Sequence, residues 1–301
     1  MAAIFTIIGI ALIVAAIQDI FFTLFHPAHA GDICDWIAGA IWRAFRQWWP
    51  SALSLAGPLA FVSIVLYWCV SICFGFALIY LPHLPAAFTF ASGLNPQQYG
   101  NFLGALDVSI GGLITLSTGA YSTSNWLQLL MGVESVLGFC LLTASISWIL
   151  SIYPVLEHRK SLAHEATLLH FSEVNGITRL EQVSDSDVME ILLGLAGQLV
   201  TSRNELVQFP ITYYFHETET STSLAGILPY LAETAQWAAE RKGAAGIAGT
   251  TLGGAIDDFL RMVAEMFLHR KFTNRAEILQ AFAHEHLREA VHSPLRRPRA
   301  A

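Results

Sequence analysis

The sequence predicts an all-α membrane protein: three transmembrane helices, a re-entrant helix and loop between the second and third, then a cytosolic helical bundle. Three observations predict it. Over half of the 301 residues are apolar and 13% are charged, against roughly 25% charged in soluble chains. Three windows reach the ~20 apolar residues that cross a hydrocarbon core. Between Arg46 and Arg159 there is no Lys or Arg, and the only acids are Asp107, Glu134 and Glu157, a stretch from which no water-soluble surface can be built.

The first window, 3–25, ends at His26-Pro27; the second, 53–81, ends at Pro82; the third, 126–153, ends at Pro154, because proline cannot continue a helix. Trp36, Trp42, Trp48, Trp49, Tyr80, Trp126 and Tyr153 stand near their edges and are expected at the lipid–water interface. Ala28-His29-Ala30 imitates a signal-peptidase site, but the first window lacks a basic leader and exceeds the ~7 to 15 apolar residues of a signal peptide, so it is expected to remain as a helix.

After Glu157 the chain becomes ordinary in charge, which divides it into a membrane domain, 1–156, and a cytosolic helical domain, 157–301. The net charge of −7 arises mostly in the second. Arg296, Arg297 and Arg299 form too short a basic run for nucleic acid and are expected to be a solvated or lipid-facing end, membrane lipid being the expected partner of the first domain. Arg43 and Arg46 precede the second window, and Arg159 with Lys160 follow the third, whereas 82–125 has no cation. The positive-inside rule then places the N-terminus outside the cell membrane and the C-terminal half in the cytoplasm.

Residues 97–125 are too apolar for a solvated loop, while Gly111-Gly112 and the polar run after them argue against a fourth span. Leu103, Leu106, Ile110, Leu113 and Ile114 repeat at helical spacing, followed by an extended return through Thr115, Leu116, Ser117, Thr118, Gly119, Ala120, Tyr121, Ser122 and Thr123. Irregular backbone at membrane depth persists only where protein buries it or where it lines water. Lining water is the expectation here.

The order of outer helix, loop and inner helix resembles the bacterial potassium-channel family with one pore loop per subunit, in a branch with an extra N-terminal helix and a cytosolic helical tail. The resemblance is carried by Gln18-Asp19-Ile20-Phe21 through His26-Pro27, by Gly57-Pro58-Leu59, by Val136-Leu137-Gly138-Phe139, by Tyr153-Pro154-Val155-Leu156, and in the tail by Phe209-Pro210-Ile211-Thr212-Tyr213-Tyr214. It implies a homotetramer passing a monovalent cation, potassium above all, through a ring of backbone carbonyls, with no cofactor.

The filter departs from the family's Thr-x-Gly-Tyr-Gly. Starting at Thr118, Ala120 and Ser122 occupy both glycine places; starting at Thr115, only the last glycine, Gly119, is kept; starting at Ser117, only the first. All three registers stay open on sequence. Each non-glycine residue forced into left-handed angles costs about 1 kcal/mol, which argues against strict potassium selectivity. A non-conducting membrane adaptor or sensor on the same fold is the rival.

Ionisable groups inside a span mark function by default. Glu134 in the third window is expected to brace the loop or face the cavity, and Asp19, beside Gln18 in the first, to pair with Arg43 or Arg46. Gly132 and Gly138 suit close packing or a bend of the inner helix. Cys34, Cys69, Cys73 and Cys140 show no disulfide or zinc spacing. In the cytosolic domain, Asp187-Val188-Met189-Glu190 predicts a helix start, and further helices are expected near 224–241, 251–269 and 274–291, separated at Gly243, Gly246 and Gly249. No nucleotide fingerprint, histidine metal site or Ser/His/Asp grouping appears, so an enzyme is not expected.

Overall fold

The structure, a computed structural model, describes residues 2–25, 32–116 and 118–293. His26-Pro27, Ala28-His29-Ala30, Ser117 and the arginines of the tail lie outside the described residues. The chain divides into two compact units, Met1–Ser151 and Ile152–Ala301.

The first unit contains α1 (Ala2–Phe25), α2 (Asp32–Trp48), α3 (Ala56–Tyr80), a short strand β1 (Phe88–Phe90), α4 (Phe102–Leu113), a short strand β2 (Ala120–Ser122) and the start of α5 (Asn125–Val174). Helices α1, α3 with its flanking turns, and α5 are long and apolar enough to cross a membrane. One face of α1, with Gly9, Ile13, Ala16 and Asp19, is buried. A Cβ on Gly9 would come within 2.4 Å of the Gly75 carbonyl oxygen, so α1 and α3 meet backbone to backbone. Small residues permit this approach in helices that gain little from lipid exclusion. Helix α2 is amphipathic: Cys34, Ala38 and Trp42 recur every fourth residue and are buried, while Ile33, Trp36 and Trp48 stay exposed.

Two of the expected interfacial anchors are interior residues instead. Trp42 is buried and Tyr80 is fully enclosed; the phenol has found a hydrogen-bond partner inside the protein, which satisfies its polar end away from water.

Helix α5 does not stop at Pro154 but continues to Val174 with that proline inside. Ile152, Val155 and Leu156 are buried on either side of it, and their packing outweighs the single backbone bond that proline removes.

The second unit holds the remainder of α5 with α6 (Asp185–Gln208), α7 (Leu224–Ala239), α8 (Ala244–Val263) and α9 (Arg275–Glu285). Its core is built from Leu162, Leu199, Leu228, Ile256 and Phe282, one from each helix. The start of α6 differs from expectation: Ser184 is the cap, accepting from the Asp187 N–H, and Asp187 lies in the first turn. Gly246 and Gly249 do not separate helices but lie within α8, where a Cβ would press on the Arg241 carbonyl (2.1 Å) and the Ala239 nitrogen (2.4 Å). They let α8 fold back tightly on α7. Beyond Val263 the helix widens to a π turn, Ala264–Leu268, which His269 ends in the left-handed region. Helix α9 stops at Glu285, short of the expected 291, and Leu287 is left-handed (φ 51°).

Arg159 is mostly enclosed in this unit. Its guanidinium donates to the carbonyls of Thr212 (2.8 Å) and Phe215 (2.7 Å) and pairs with buried Glu217. Those acceptors belong to the Phe209–Tyr214 run and the loop after it; there Tyr213 stacks on Phe267 with centroids 4.0 Å apart. Arg288 donates to the Glu217 carbonyl from the other side.

Candidate functional site

Helix α4 is 12 residues long, about 18 Å at ~1.5 Å per residue, well short of a ~30 Å hydrocarbon core. Asn101 caps its start, accepting from the Gly104 N–H at 2.9 Å. Ala105, Val108 and Ser109 are buried on one face, whereas Leu103, Asp107, Ile110 and Ile114 form an exposed stripe on the other. The chain reverses at the end of α4. Thr115 takes left-handed angles (φ 58°), a conformation a side chain disfavours, and the Leu116 N–H bonds back to the Gly111 carbonyl at 2.8 Å.

Glycines 111 and 112 have separate jobs. A Cβ on Gly111 would meet the Thr118 side chain at 2.3 Å and the Leu116 carbonyl at 2.8 Å, so its absence lets the returning chain lie against α4. A Cβ on Gly112 would meet Glu134 Oε2 at 2.7 Å.

Glu134 is fully buried on α5. Tyr80 Oη donates to its Oε2 at 2.8 Å, and Ser109 Oγ donates to its Oε1. The carboxylate thus joins the end of α3, the middle of α4 and α5. Ser135, the next residue, donates to the Gly112 carbonyl at 2.9 Å. Gly138 completes the contact, since a Cβ there would fall 1.9 Å from the Leu113 carbonyl, while Gly132 faces open space. Of the two glycines singled out by sequence, Gly138 packs against α4, whereas a Cβ at Gly132 would meet no other group among the described residues.

The return has two parts. Ala120, Tyr121 and Ser122 pair antiparallel with Phe90, Thr89 and Phe88. The Gly119 carbonyl accepts from Ala91 N–H (2.8 Å), the Tyr121 carbonyl from Thr89 Oγ1 (3.2 Å) and the Ser122 carbonyl from Gln128 Nε2 (2.8 Å). Among the described residues, no donor bonds the carbonyls of Thr115, Leu116 or Thr118. Gly119 itself is left-handed (φ 75°).

Asp19 lies in a different cluster. Its Oδ2 accepts from Trp68 Nε1 at 2.6 Å and from Cys34 Sγ at 2.9 Å, joining α1, α2 and α3. The partners expected from sequence were arginines; the donors found are an indole and a thiol. Gln18 is exposed on the other face of α1 and does not join this cluster.

No family model matches the chain, and no solved structure matches it. It is 23% identical over 231 residues to the uncharacterized membrane protein YdjJ of Bacillus subtilis (strain 168), an alignment that covers 73% of this chain. The chain is a membrane protein. It spans 65% of the length of YdjJ, whose name specifies no activity.

Sequence reasoning finds Glu134 but misses the groups that hold it. Tyr80 resembles an interfacial anchor because it ends a span. Ser109 does not stand out, although a lone hydroxyl on the apolar face of a short helix signals an internal hydrogen bond. The pairing of Phe88–Phe90 with the return is also missed, because three residues are too few for alternation to register.

Proposed function

We propose that the chain is one subunit of a homotetrameric cation channel, potassium-channel-like, with α4 as its pore helix and the turn after it as the ion path. In this reading α1, α3 and α5 cross the cell membrane, the N-terminus is outside, and the second unit is cytoplasmic. The observation that carries it is the short α4, clamped between two span-length helices by Glu134 and followed at once by a reversed chain in which, among the described residues, the carbonyls of Thr115, Leu116 and Thr118 meet no donor. A helix that cannot cross has to return, and carbonyls without donors can replace the water around a cation. The negative end of α4 faces that turn. Four copies are required, since one turn supplies a quarter of a ring.

Hydrogen bonding favours one register. With the carbonyls of Gly119, Tyr121 and Ser122 engaged by the chain's own donors, the path is best assigned to Thr115, Leu116, Ser117 and Thr118, ending at Gly119. Glu134 is then a positioning residue for the pore helix rather than a group that touches the ion.

A second reading, a non-conducting adaptor or sensor, is favoured by one observation: Thr115 bears the left-handed angles where a glycine would be cheaper. Flux of potassium, sodium and chloride into liposomes holding the purified protein separates the two. Potassium entry above sodium, with chloride excluded, is the expected result; no cation entry above that of empty liposomes would leave the adaptor.

A further inference from the structure

We propose that the cavity between the end of α8 and the start of α9 binds a small phosphate-bearing solute through Arg261, Arg270 and Arg275. The cavity measures about 450 Å³, within the size range of small-molecule sites. Three guanidiniums line it against two carboxylates, Asp257 and Glu265, so one positive charge is in excess. Asp257 is already engaged with Arg275 at 3.4 Å. Guanidinium forks match the oxygens of phosphate, each able to bond two at once.

A second observation points the same way. Nε and Nη2 of Arg275 are buried and have no hydrogen-bond partner among the described residues. Buried charged donors left without acceptors are costly, and a small turn of the Arg275 fork, now held through Nη1 to Asp257, would bring them onto an oxyanion in the cavity. Phe272 forms part of the wall and is half-buried, giving the remainder of the solute an apolar face. The backbone there is shaped rather than regular: the π turn and left-handed His269 lead into Arg270, and Asn274, which caps the next helix by accepting from the Glu277 N–H at 2.9 Å, immediately precedes Arg275.

The site is independent of whether the protein conducts, and its test reads binding alone. Full-length protein in detergent is titrated calorimetrically with pyrophosphate and with ATP. Saturable binding is expected, weakened about tenfold by Arg270→Gln or Arg261→Gln, the loss of one charge-assisted contact. Both side chains are exposed, so circular dichroism should not change. Lys271→Gln, an exposed neighbouring cation that does not line the cavity, should bind as wild type. Phosphatidylglycerol in nanodiscs that displaces pyrophosphate only when both arginines are present would identify a lipid headgroup as the source; no displacement would identify a free solute. The proposal is overturned if neither ligand saturates, or if Lys271→Gln weakens binding as much as Arg270→Gln.

Discussion

The membrane unit buries its carboxylates on neutral donors, whereas the second unit also uses a cation. In the membrane unit, Glu134 rests on a phenol and a hydroxyl, and Asp19 on an indole and a thiol. In the second unit, buried Glu173 also accepts from a phenol, Tyr230 Oη at 2.7 Å, but buried Glu217 rests on a guanidinium that also gathers two loop carbonyls. For Glu134 the difference follows from composition: between Arg46 and Arg159 the chain offers no Lys or Arg, so neutral donors must serve; Asp19 takes neutral donors although Arg43 and Arg46 lie in the same unit. It teaches that the clusters around Glu134 and Asp19 are held by directional bonds, whose loss leaves an unsatisfied acceptor, while the Arg159–Glu217 pair is held by charge, whose loss leaves an unpaired ion.

The largest effect should come from the charge-held pair. Glu217→Ala strands Arg159 in a buried position and is expected to lower stability by about 3–5 kcal/mol, measured by denaturant unfolding in detergent. A loss below about 1 kcal/mol, the ordinary value of an exposed pair, would break the contrast.

Close packing around Glu134 comes next. Gly138→Ala should cost about 2–3 kcal/mol, because its Cβ would overlap the Leu113 carbonyl. Gly132→Ala, in open space, should be neutral or slightly stabilising through helix propensity. Equal effects of the two substitutions on unfolding would refute the assigned packing.

Removing a neutral donor should cost less. Tyr80→Phe deletes one hydrogen bond to Glu134 and should destabilise by about 1–2 kcal/mol. In a double-mutant cycle with Glu134→Gln the two losses should fall short of additivity; strict additivity would mean the pair does not interact.

The smallest effect concerns pH. Burial, then the neighbouring Arg288, pushes His216 below its ordinary pKa, so the folded state takes up its proton at lower pH than the unfolded state. Above the ordinary value of ~6.5 both states are neutral and the residue contributes no pH dependence. As the pH falls through that range, the unfolded state binds the proton first and stability declines. Melting temperatures of wild type and His216→Gln, compared from pH 8 to pH 5, should show the wild type losing more; parallel curves would remove His216 from the account.

The three span-length helices were legible because a run of about twenty apolar residues suits a hydrocarbon core and few soluble surroundings, and α4 was legible from the helical spacing of Leu103, Leu106, Ile110 and Leu113. What could not be read were outcomes set by distant partners. Pro154 reads as a terminator, yet burial of Ile152 and Val155 carries α5 through it. Gly246 and Gly249 read as breaks, yet contact with the α7 terminus makes them interior positions of α8. Glu134 announces itself by being acidic in an apolar run, but nothing local distinguishes Tyr80, at one end of a span, as its donor. Nor does the sequence separate the two halves of the return, which the structure divides into a turn after α4 and a strand, Ala120–Ser122, taken up by Phe88–Phe90.

That pairing also has a consequence for how this segment can change. Thr123 N–H bonds the Ala87 carbonyl at 2.9 Å, so the chain leaves the hairpin beside the point where it entered. Everything from Phe88 to Ser122 is therefore a closed excursion, fastened at its own neck. Residues can be added or lost between Ala91 and Asn101 without altering the distance between the outgoing and returning strands, and tolerance to insertion should be high there. A segment whose two ends meet can also move as one piece, carrying its turn and its short helix with it, provided its surroundings keep Tyr80, Glu134, Ser135 and Gly138.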